Sequence, residues 1–333
     1  MRHGRQEGQV MTAAIEVRGL VKRYGEVLAV AGIDFSVEHS EFFAFLGPNG
    51  AGKTTTISIL CTLARPTEGT ARVAGYDVVR EPQLVRQCIG IIFQDPSLDT
   101  QLTAWENLAL HARVYGVPSR LWRPRAEELL RLVELWERRH HLVRTFSGGM
   151  KRRLELVRGL LHAPDILFLD EPTIGLDPQT RRQIWSHLLT LRRETGVTLF
   201  LTTHYLEEAE QCDRVAIIDH GKIIALDAPH ALKAQVGKDI VVLSTDDDER
   251  AARELRERFG FAPMLVDGTI RIETERGDEL IPRLARELTV PIRSASLRRP
   301  SLDDVFLALT GRQIRDEEAS ELDLFRERMR FRR

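Results

Sequence analysis

Three short motifs that follow one another along the chain constrain its fold more than any other feature. The first is a glycine-rich loop, 47–54, which follows the apolar run 42–46. The second is a Ser-Gly-Gly turn that begins at Ser147, and the third is the run 166–171, in which four apolar residues precede two carboxylates. A glycine-rich loop between a strand and a helix surrounds phosphate groups with backbone N–H groups. The order of these motifs predicts an α/β core that binds a nucleotide.

Size and composition indicate a globular protein with one large and one small domain. The chain has 333 residues, of which 29% are charged, and its net charge is -1. This balance predicts no attraction to nucleic acid. Three cysteines at unrelated spacings favour reduced thiols in a cytoplasm, and the polar first residues do not resemble a secretory signal. No apolar run approaches the roughly 18 residues that a membrane span needs.

The pattern of apolar residues predicts the domain organisation. Apolar strands that alternate with helices indicate a mostly parallel sheet covered on both faces, and the earliest β-rich segments indicate a separate antiparallel layer. Near the C-terminus the order β-α-β-β-α-β is typical of a ferredoxin-like domain. The predicted parts are a disordered start (1–14), a nucleotide-binding domain (15–235) with a helical subdomain (95–164), a small α+β domain (238–311) and a charged tail (312–333).

The glycine-rich loop and the acidic strand suggest ATP and Mg²⁺ as cofactors. Lys53 is expected to reach the β- and γ-phosphates, and the Thr54 hydroxyl is expected to bind Mg²⁺. Asp170 is placed to hold the same ion, directly or through water. Glu171 follows it and is the predicted general base that polarises the attacking water.

Ser147 has the character of an N-cap for a helix from Gly148 to about Leu161. The start of such a helix offers free N–H groups and a positive dipole to an anion. Since the glycine-rich loop already accounts for one set of phosphates, this second anion site requires another nucleotide. A head-to-tail dimer, in which each turn covers the γ-phosphate on the partner's loop, is the economical solution, and the family resemblance given next is what implies it.

Together these motifs resemble the ATP-binding cassette (ABC) family, which implies a P-loop NTPase fold and ATP hydrolysis coupled to transport. The resemblance implies that Gln94, after the strand 89–93, meets Mg²⁺ and the attacking water. It implies that His204 contacts the γ-phosphate and supports the catalytic glutamate, and that Asp177 crosses the dimer interface. Tyr24 corresponds to the aromatic residue that stacks on adenine.

The expected site has three groups of residues. They are catalytic residues (Glu171, His204, Gln94), ATP-binding residues (Tyr24, Gly47, Pro48, Asn49, Gly50, Ala51, Gly52, Lys53, Thr54, Thr55, Ser147, Gly148, Gly149, Asp177) and Mg²⁺ ligands (Thr54, Gln94, Asp170). Phe146 and Met150 stand where the family most often has leucine and glutamine. Neither replaces a residue of the Ser-Gly-Gly turn, so we expect its function to be retained.

Two further segments, 177–182 and 299–306, resemble the daunorubicin-resistance type of exporter ATPase. This resemblance implies a peripheral subunit on the cytoplasmic face of the membrane, working with a second copy of itself and a separate multi-span ABC-2 permease. Drug or other hydrophobic cargo is the expected substrate, and related systems export polysaccharide, peptide or sodium. The alternative is a soluble, non-transport ABC ATPase, for example one that acts on ribosomes, but those usually carry two cassettes in one chain.

Overall fold

The computed structural model describes residues 13–94, 97–266 and 269–311. These residues form two compact units, divided between Ala228 and Pro229. The expected disorder of residues 1–12 and the charged tail at 312–333 lie outside the described residues. Ala14 is fully buried and its carbonyl accepts a hydrogen bond from the Ala74 N–H at 2.8 Å, so ordered chain is present one residue before the expected boundary at 15.

The first unit combines two sheets with seven helices within its described residues. In chain order its elements are β1 (Ile15–Tyr24), β2 (Val27–Val37), β3 (Phe42–Leu46), α1 (Lys53–Leu60), β4 (Glu68–Val73), β5 (Tyr76–Asp77), α2 (Pro82–Cys88), β6 (Ile89–Ile92), α3 (Ala104–Val114), α4 (Ser119–Leu132), α5 (Gly148–Leu160), β7 (Ile166–Asp170), α6 (Pro178–Thr195), β8 (Thr198–Thr203), α7 (Leu206–Ala209), β9 (Arg214–Asp219) and β10 (Lys222–Asp227).

The central sheet has the strand order β10-β9-β3-β8-β7-β6. Only β10 is antiparallel to its neighbour among these six strands. Every residue of β3, β7 and β8 is buried, as expected for apolar strands covered on both faces. The prediction of a mostly parallel sheet is confirmed. Because β3, β6, β7 and β8 run the same way, the residues that follow them lie at one edge of the sheet.

The second sheet of this unit is the predicted antiparallel layer, with the order β2-β1-β4-β5. It packs against the central sheet through aromatic side chains. The Phe35 ring of β2 lies 5.6 Å from that of Phe43, 5.4 Å from that of Phe45 and 6.1 Å from that of Phe200, measured between ring centres. Such rings exclude water from the space between the sheets and hold the two layers together.

Between β6 and β7 the described chain is helical. The Thr103 side chain caps α3 and the Glu106 carboxylate accepts from the Thr103 N–H, which is the capping box that the sequence predicts. Helix α5 lies very close to β6, because a Cβ on Gly90 would come within 2.2 Å of the Gly159 carbonyl oxygen. This close approach places the C-terminal end of α5 against the central sheet.

The second unit is an α+β domain. Its elements are α8 (Pro229–Val236), β11 (Asp239–Thr245), α9 (Asp248–Glu257), β12 (Met264–Val266), β13 (Thr269–Thr274), α10 (Gly277–Glu287), β14 (Ile292–Arg298) and α11 (Leu302–Thr310). The sheet is antiparallel with the order β12-β13-β11-β14, and the elements from β11 to β14 follow the predicted ferredoxin-like sequence. Since α8 packs against α11, this unit begins before the expected position 238.

One face of this second sheet is covered by helices. Val241 and Leu243 of β11 are buried together with Leu255 of α9 and Leu284 of α10. In the part of the chain that the structure describes, no helix is both long enough and apolar enough to cross a bilayer.

Candidate functional site

The glycine-rich loop joins β3 to α1 through a backbone that needs glycine. A Cβ on Gly47 would lie 2.2 Å from the Ile218 carbonyl oxygen, and Gly52 has a φ of +106°. Gly52 is the N-cap of α1 and has no side chain to bond the first N–H groups of the helix. Those N–H groups and the positive end of α1 therefore remain available to phosphate oxygens.

Lys53, at the start of α1, is held under this loop. Only 4% of its surface is exposed, and its Nζ donates to the carbonyl oxygens of Gly47 at 2.8 Å and Pro48 at 3.0 Å. The same Nζ lies 3.3 Å from Glu171 Oε1. The lysine charge is thus placed between the loop and the carboxylate at the end of β7.

Asp170 ends β7 with hydroxyl groups on both sides. Its Oδ1 accepts from Thr202 Oγ1 at 2.5 Å and from Thr54 Oγ1 at 3.4 Å. Burial, together with the charge of Glu171, raises the pKa of Asp170 despite these hydrogen bonds. A divalent cation beside Asp170 would compensate its charge, and a hydroxyl with a carboxylate are the oxygen ligands that Mg²⁺ prefers. The residues present therefore fit the ion that the sequence predicts.

Glu171 has the most constrained position in the site. Its φ of +45° is in the left-handed region, which is uncommon for a residue with a side chain. Its N–H is held by both the carbonyl and the hydroxyl oxygen of Thr202, at 3.1 and 3.2 Å. Such backbone strain is often found at functional sites. The Glu171 carboxylate lies beside both Lys53 and His204.

The two basic neighbours of Glu171 keep its carboxylate charged. His204 follows β8, is 8% exposed, and its Nδ1 lies 3.3 Å from Glu171 Oε2. Burial acts to raise the pKa of Glu171, but the hydrogen bond with His204 and the charge of Lys53 outweigh it, so the pKa lies below its ordinary value. A buried carboxylate that stays ionised can accept a proton from water.

Ser147 and Asp177 bond within the first turns of their own helices. Ser147 Oγ accepts from the Met150 N–H at 3.2 Å and caps α5, as predicted. Asp177 caps α6 by accepting from the N–H groups of Gln179 and Thr180. The sequence did not predict this capping role of Asp177.

The two helix starts touch at one point. A Cβ on Gly149 would lie 2.5 Å from Thr180 Cγ2, so a glycine is needed for α5 to approach α6. Among the described site residues, Glu171 is close to both Lys53 and His204, and Thr54 donates to Asp170. The start of α5 contacts the start of α6 instead.

Tyr24 and Gln94 are exposed side chains at the ends of strands. Tyr24 ends β1 with 51% of its surface exposed, and Lys22 Nζ lies 4.7 Å from the centre of its ring. Gln94 follows β6, one residue after Phe93, whose carbonyl oxygen accepts from Arg152 Nη1 at 2.5 Å. An exposed ring and an exposed amide suit contacts with a nucleotide.

Sequence reasoning missed a buried charge network around Arg152 of α5. Its guanidinium donates to the carbonyl oxygens of Phe93 and Pro172, both at 2.5 Å, and to Glu155 Oε2 at 3.0 Å. Glu155, fully buried, accepts from the Ser97 N–H at 2.8 Å. The network joins the segment around Gln94 to the segment after β7. The signal in the sequence was two opposite charges, three residues apart, among the apolar residues of a helix.

A second missed residue is Glu208 of α7, which is 2% exposed. Its Oε2 accepts from Thr203 Oγ1 at 2.7 Å, and its Oε1 accepts from Thr173 Oγ1. Thr203 precedes His204, and Thr173 follows Glu171 by two residues. Glu208 therefore ties together the two loops that carry the ion pair.

Comparisons with known proteins match both units of the chain. Residues 30–174 match the family model described as "ABC transporter", and residues 228–310 match "ATP-binding protein DrrA1-3-like, C-terminal domain". The daunorubicin/doxorubicin resistance ATP-binding protein DrrA of Streptomyces peucetius is 43% identical over 93% of this chain and 97% of that protein. The linearmycin resistance ATP-binding protein LnrL of Bacillus subtilis is 37% identical over 91% of this chain and 100% of that protein.

Solved structures show the same similarity. The ATP-binding subunit of an ABC transporter is 31% identical, with a TM-score of 0.61 over 67% of this chain and 93% of that one. A dimeric ATP-binding cassette bound to ADP and phosphate is 28% identical, with a TM-score of 0.57 over 64% of this chain and 98% of that one. This chain therefore belongs to the ATP-binding subunits of the ABC transporter family, in its drug-resistance exporter branch, whose members hydrolyse ATP for transport.

Proposed function

We propose that this chain powers an exporter as a homodimeric ATPase that drives a separate ABC-2 type permease. The observation that carries the proposal is the ionised Glu171, held between Lys53 and His204 beside a loop shaped for phosphate. This arrangement has the parts needed to hydrolyse ATP, rather than only to bind it.

Each residue of this group has a distinct role in the proposed reaction. Lys53 and the N–H groups at the start of α1 bind the β- and γ-phosphates. Glu171 takes a proton from the attacking water, and His204 keeps the Glu171 carboxylate oriented. Thr54, Asp170 and Gln94 are the residues that would hold Mg²⁺, which neutralises charge on the phosphate oxygens when bound. Tyr24 provides a ring face for the adenine.

The second half of each ATP site comes, in this proposal, from a second copy of the chain. The N-terminus of α5 carries Ser147, Gly148 and Gly149 and has the helix dipole that favours a γ-phosphate. In the same chain this helix start contacts α6. Dimeric cassettes among the similar structures support an assembly in which the turn covers ATP on the partner. Asp177 would then lie at the interface between the two copies.

The names of the relatives support the transport role. They include daunorubicin and doxorubicin resistance proteins and a linearmycin resistance protein. They also include a Nod factor export protein of Ralstonia nicotianae, which is 39% identical to this chain. We propose a hydrophobic, drug-like cargo, with the protein attached to the cytoplasmic face of the membrane. The first unit would bind and hydrolyse ATP, and its helical part between β6 and β7 would contact the permease. The second unit, which begins at Pro229, would brace the dimer.

Two experiments test these statements separately. Purified Glu171→Gln should bind ATP, lose hydrolysis and elute as a dimer with ATP, whereas Lys53→Ala should remain monomeric under the same conditions. Affinity capture of the tagged chain from detergent-solubilised native membranes should recover one multi-span protein in equal amount. Recovery with ribosomes, or from the soluble fraction alone, would replace the exporter with a non-transport ATPase.

A further inference from the structure

Three side chains, those of Arg181, Tyr205 and His204, contact one another in a row that ends at the Glu171 carboxylate. The Cζ atom of Arg181, on α6, lies 4.0 Å from the centre of the Tyr205 ring. The centre of that ring lies 4.1 Å from the centre of the His204 ring. On the far side, His204 Nδ1 lies 3.3 Å from Glu171 Oε2. These contacts join the first turn of α6 to the proposed general base.

Arg181 lies at one end of this row of contacts, and its backbone is held in the first turn of α6. Its N–H donates to the Asp177 carbonyl oxygen at 2.9 Å, in the first turn of a helix capped by the Asp177 side chain. Its Nε is buried and, among the described residues, has no hydrogen-bond partner. The guanidinium instead faces the Tyr205 ring, and such a cation–π contact is stronger when water is excluded.

Tyr205 is fixed from its backbone as well as from its ring. Its N–H donates to Thr203 Oγ1 at 2.9 Å, and that hydroxyl donates to the buried Glu208 at 2.7 Å. The ring contacts both the guanidinium of Arg181 and the imidazole of His204. A ring packed against two side chains restricts the rotamers that they can adopt.

We propose that Tyr205, clamped by Arg181, is a positioning residue that holds the His204 imidazole against Glu171. The inference rests on the roles proposed above for His204 and Glu171. Neither Arg181 nor Tyr205 touches the reacting atoms in this scheme. Without the Tyr205 ring, the His204 side chain gains rotamer freedom and spends less time beside the Glu171 carboxylate. The carboxylate is then less well oriented toward the attacking water in the transition state.

The test is steady-state ATP hydrolysis by the full chain and four variants. Tyr205→Leu and Arg181→Gln should each lower kcat about tenfold, equivalent to about 1.4 kcal/mol of transition-state stabilisation, with KM for ATP unchanged. Tyr205→Phe keeps an aromatic ring beside Arg181 and His204, so its kcat should be close to that of the wild type. Arg182→Gln, an exposed arginine next along α6, is the matched control and should hydrolyse ATP like the wild type.

The double variant Arg181→Gln/Tyr205→Leu tests whether the two residues act on kcat as one unit or independently. If the contacts form one unit, its kcat should be no lower than that of the worse single variant. The proposal would be overturned if Tyr205→Leu had the kcat of the wild type, or if Tyr205→Phe lost as much kcat as Tyr205→Leu. If Tyr205→Leu does not fold, wild-type kcat in Arg181→Gln overturns it equally. Hydrolysis that survives Glu171→Gln would instead refute the role proposed for Glu171, on which this inference rests.

Discussion

Replacing Arg152 by methionine is expected to destabilise the first unit by about 3 kcal/mol. Methionine keeps much of the side-chain length but removes every donor of the guanidinium. The arginine is 4% exposed and its partner Glu155 is fully buried, so water cannot replace the lost bonds without rearrangement. Breaking a buried ion pair by removing one partner costs roughly 3–5 kcal/mol.

The contacts that remain place the estimate at the lower end of that range. Glu155 keeps the Ser97 N–H at 2.8 Å and the Arg158 guanidinium at 3.7 Å. The carbonyl oxygens of Phe93 and Pro172 lose their bonds to Arg152, and an unsatisfied buried acceptor costs about 1–3 kcal/mol. The Glu171 carbonyl oxygen also loses a longer bond, at 3.5 Å, so the expected loss comes from one partly compensated carboxylate and three carbonyl groups.

Urea unfolding followed by tryptophan fluorescence measures this loss in the first unit alone. All four tryptophans of the chain belong to that unit, so the signal does not report on the second one. Arg193→Met, which removes an exposed arginine of α6, is the control and should change the free energy of unfolding by less than about 0.5 kcal/mol.

A double variant decides whether the buried pair is the cause. Arg152→Met/Glu155→Met removes both charges and should recover about 1–2 kcal/mol relative to Arg152→Met, because an apolar pair leaves no uncompensated carboxylate. A loss below about 1 kcal/mol in Arg152→Met would refute the argument. So would a double variant less stable than the sum of the two single changes predicts.

Three further predictions concern the site itself. Glu171→Gln should lower kcat by about 10²–10⁴-fold while fluorescent ATP analogues still bind, because only proton transfer is lost. The pKa of Glu171 in the folded protein lies below 4.5, so its charge stabilises the fold at pH values above 4.5. This stabilisation should be lost as the pH falls through the folded-state pKa. In Glu171→Gln the carboxylate is absent, so the free energy of unfolding should depend less on pH in this acid range. Gly149→Ala should impair ATP-dependent dimerisation in gel filtration, and Gly149→Ala/Thr180→Ser should restore it, because serine lacks the methyl group that the new Cβ would meet. An unchanged elution profile of Gly149→Ala would contradict the last argument.

Much of the fold was predictable because its signals are local. The apolar runs that became β3, β7 and β8 are buried along their whole length, and such runs indicate a parallel sheet without knowledge of their partners. The caps at Thr103 and Ser147 depend on residues three positions away. The start of the second unit was misplaced, since α8 belongs to it through packing against α11, far away in sequence.

The sequence names the residues of the candidate site, and the structure adds the distances between their side chains. Motif order located Lys53, Asp170 and Glu171, and their type implied phosphate and metal chemistry. The sequence could not show that Glu171 adopts a left-handed backbone or that its pKa is lowered. Both depend on Thr202 and His204 of β8 and its following loop, which the fold brings beside β7.

The sequence by itself determined the elements, the glycine-rich loop and the residue types of the candidate site, because each of these depends on a few consecutive residues. Only the tertiary structure decided which charges are buried and what they hold. Arg152, Glu208 and Arg181 lie on three different helices, and each became a contact of the site only when that helix packed beside the edge of the central sheet. The strength of a charge or a ring contact depends on burial and on distance, and both are set by segments far apart in the chain.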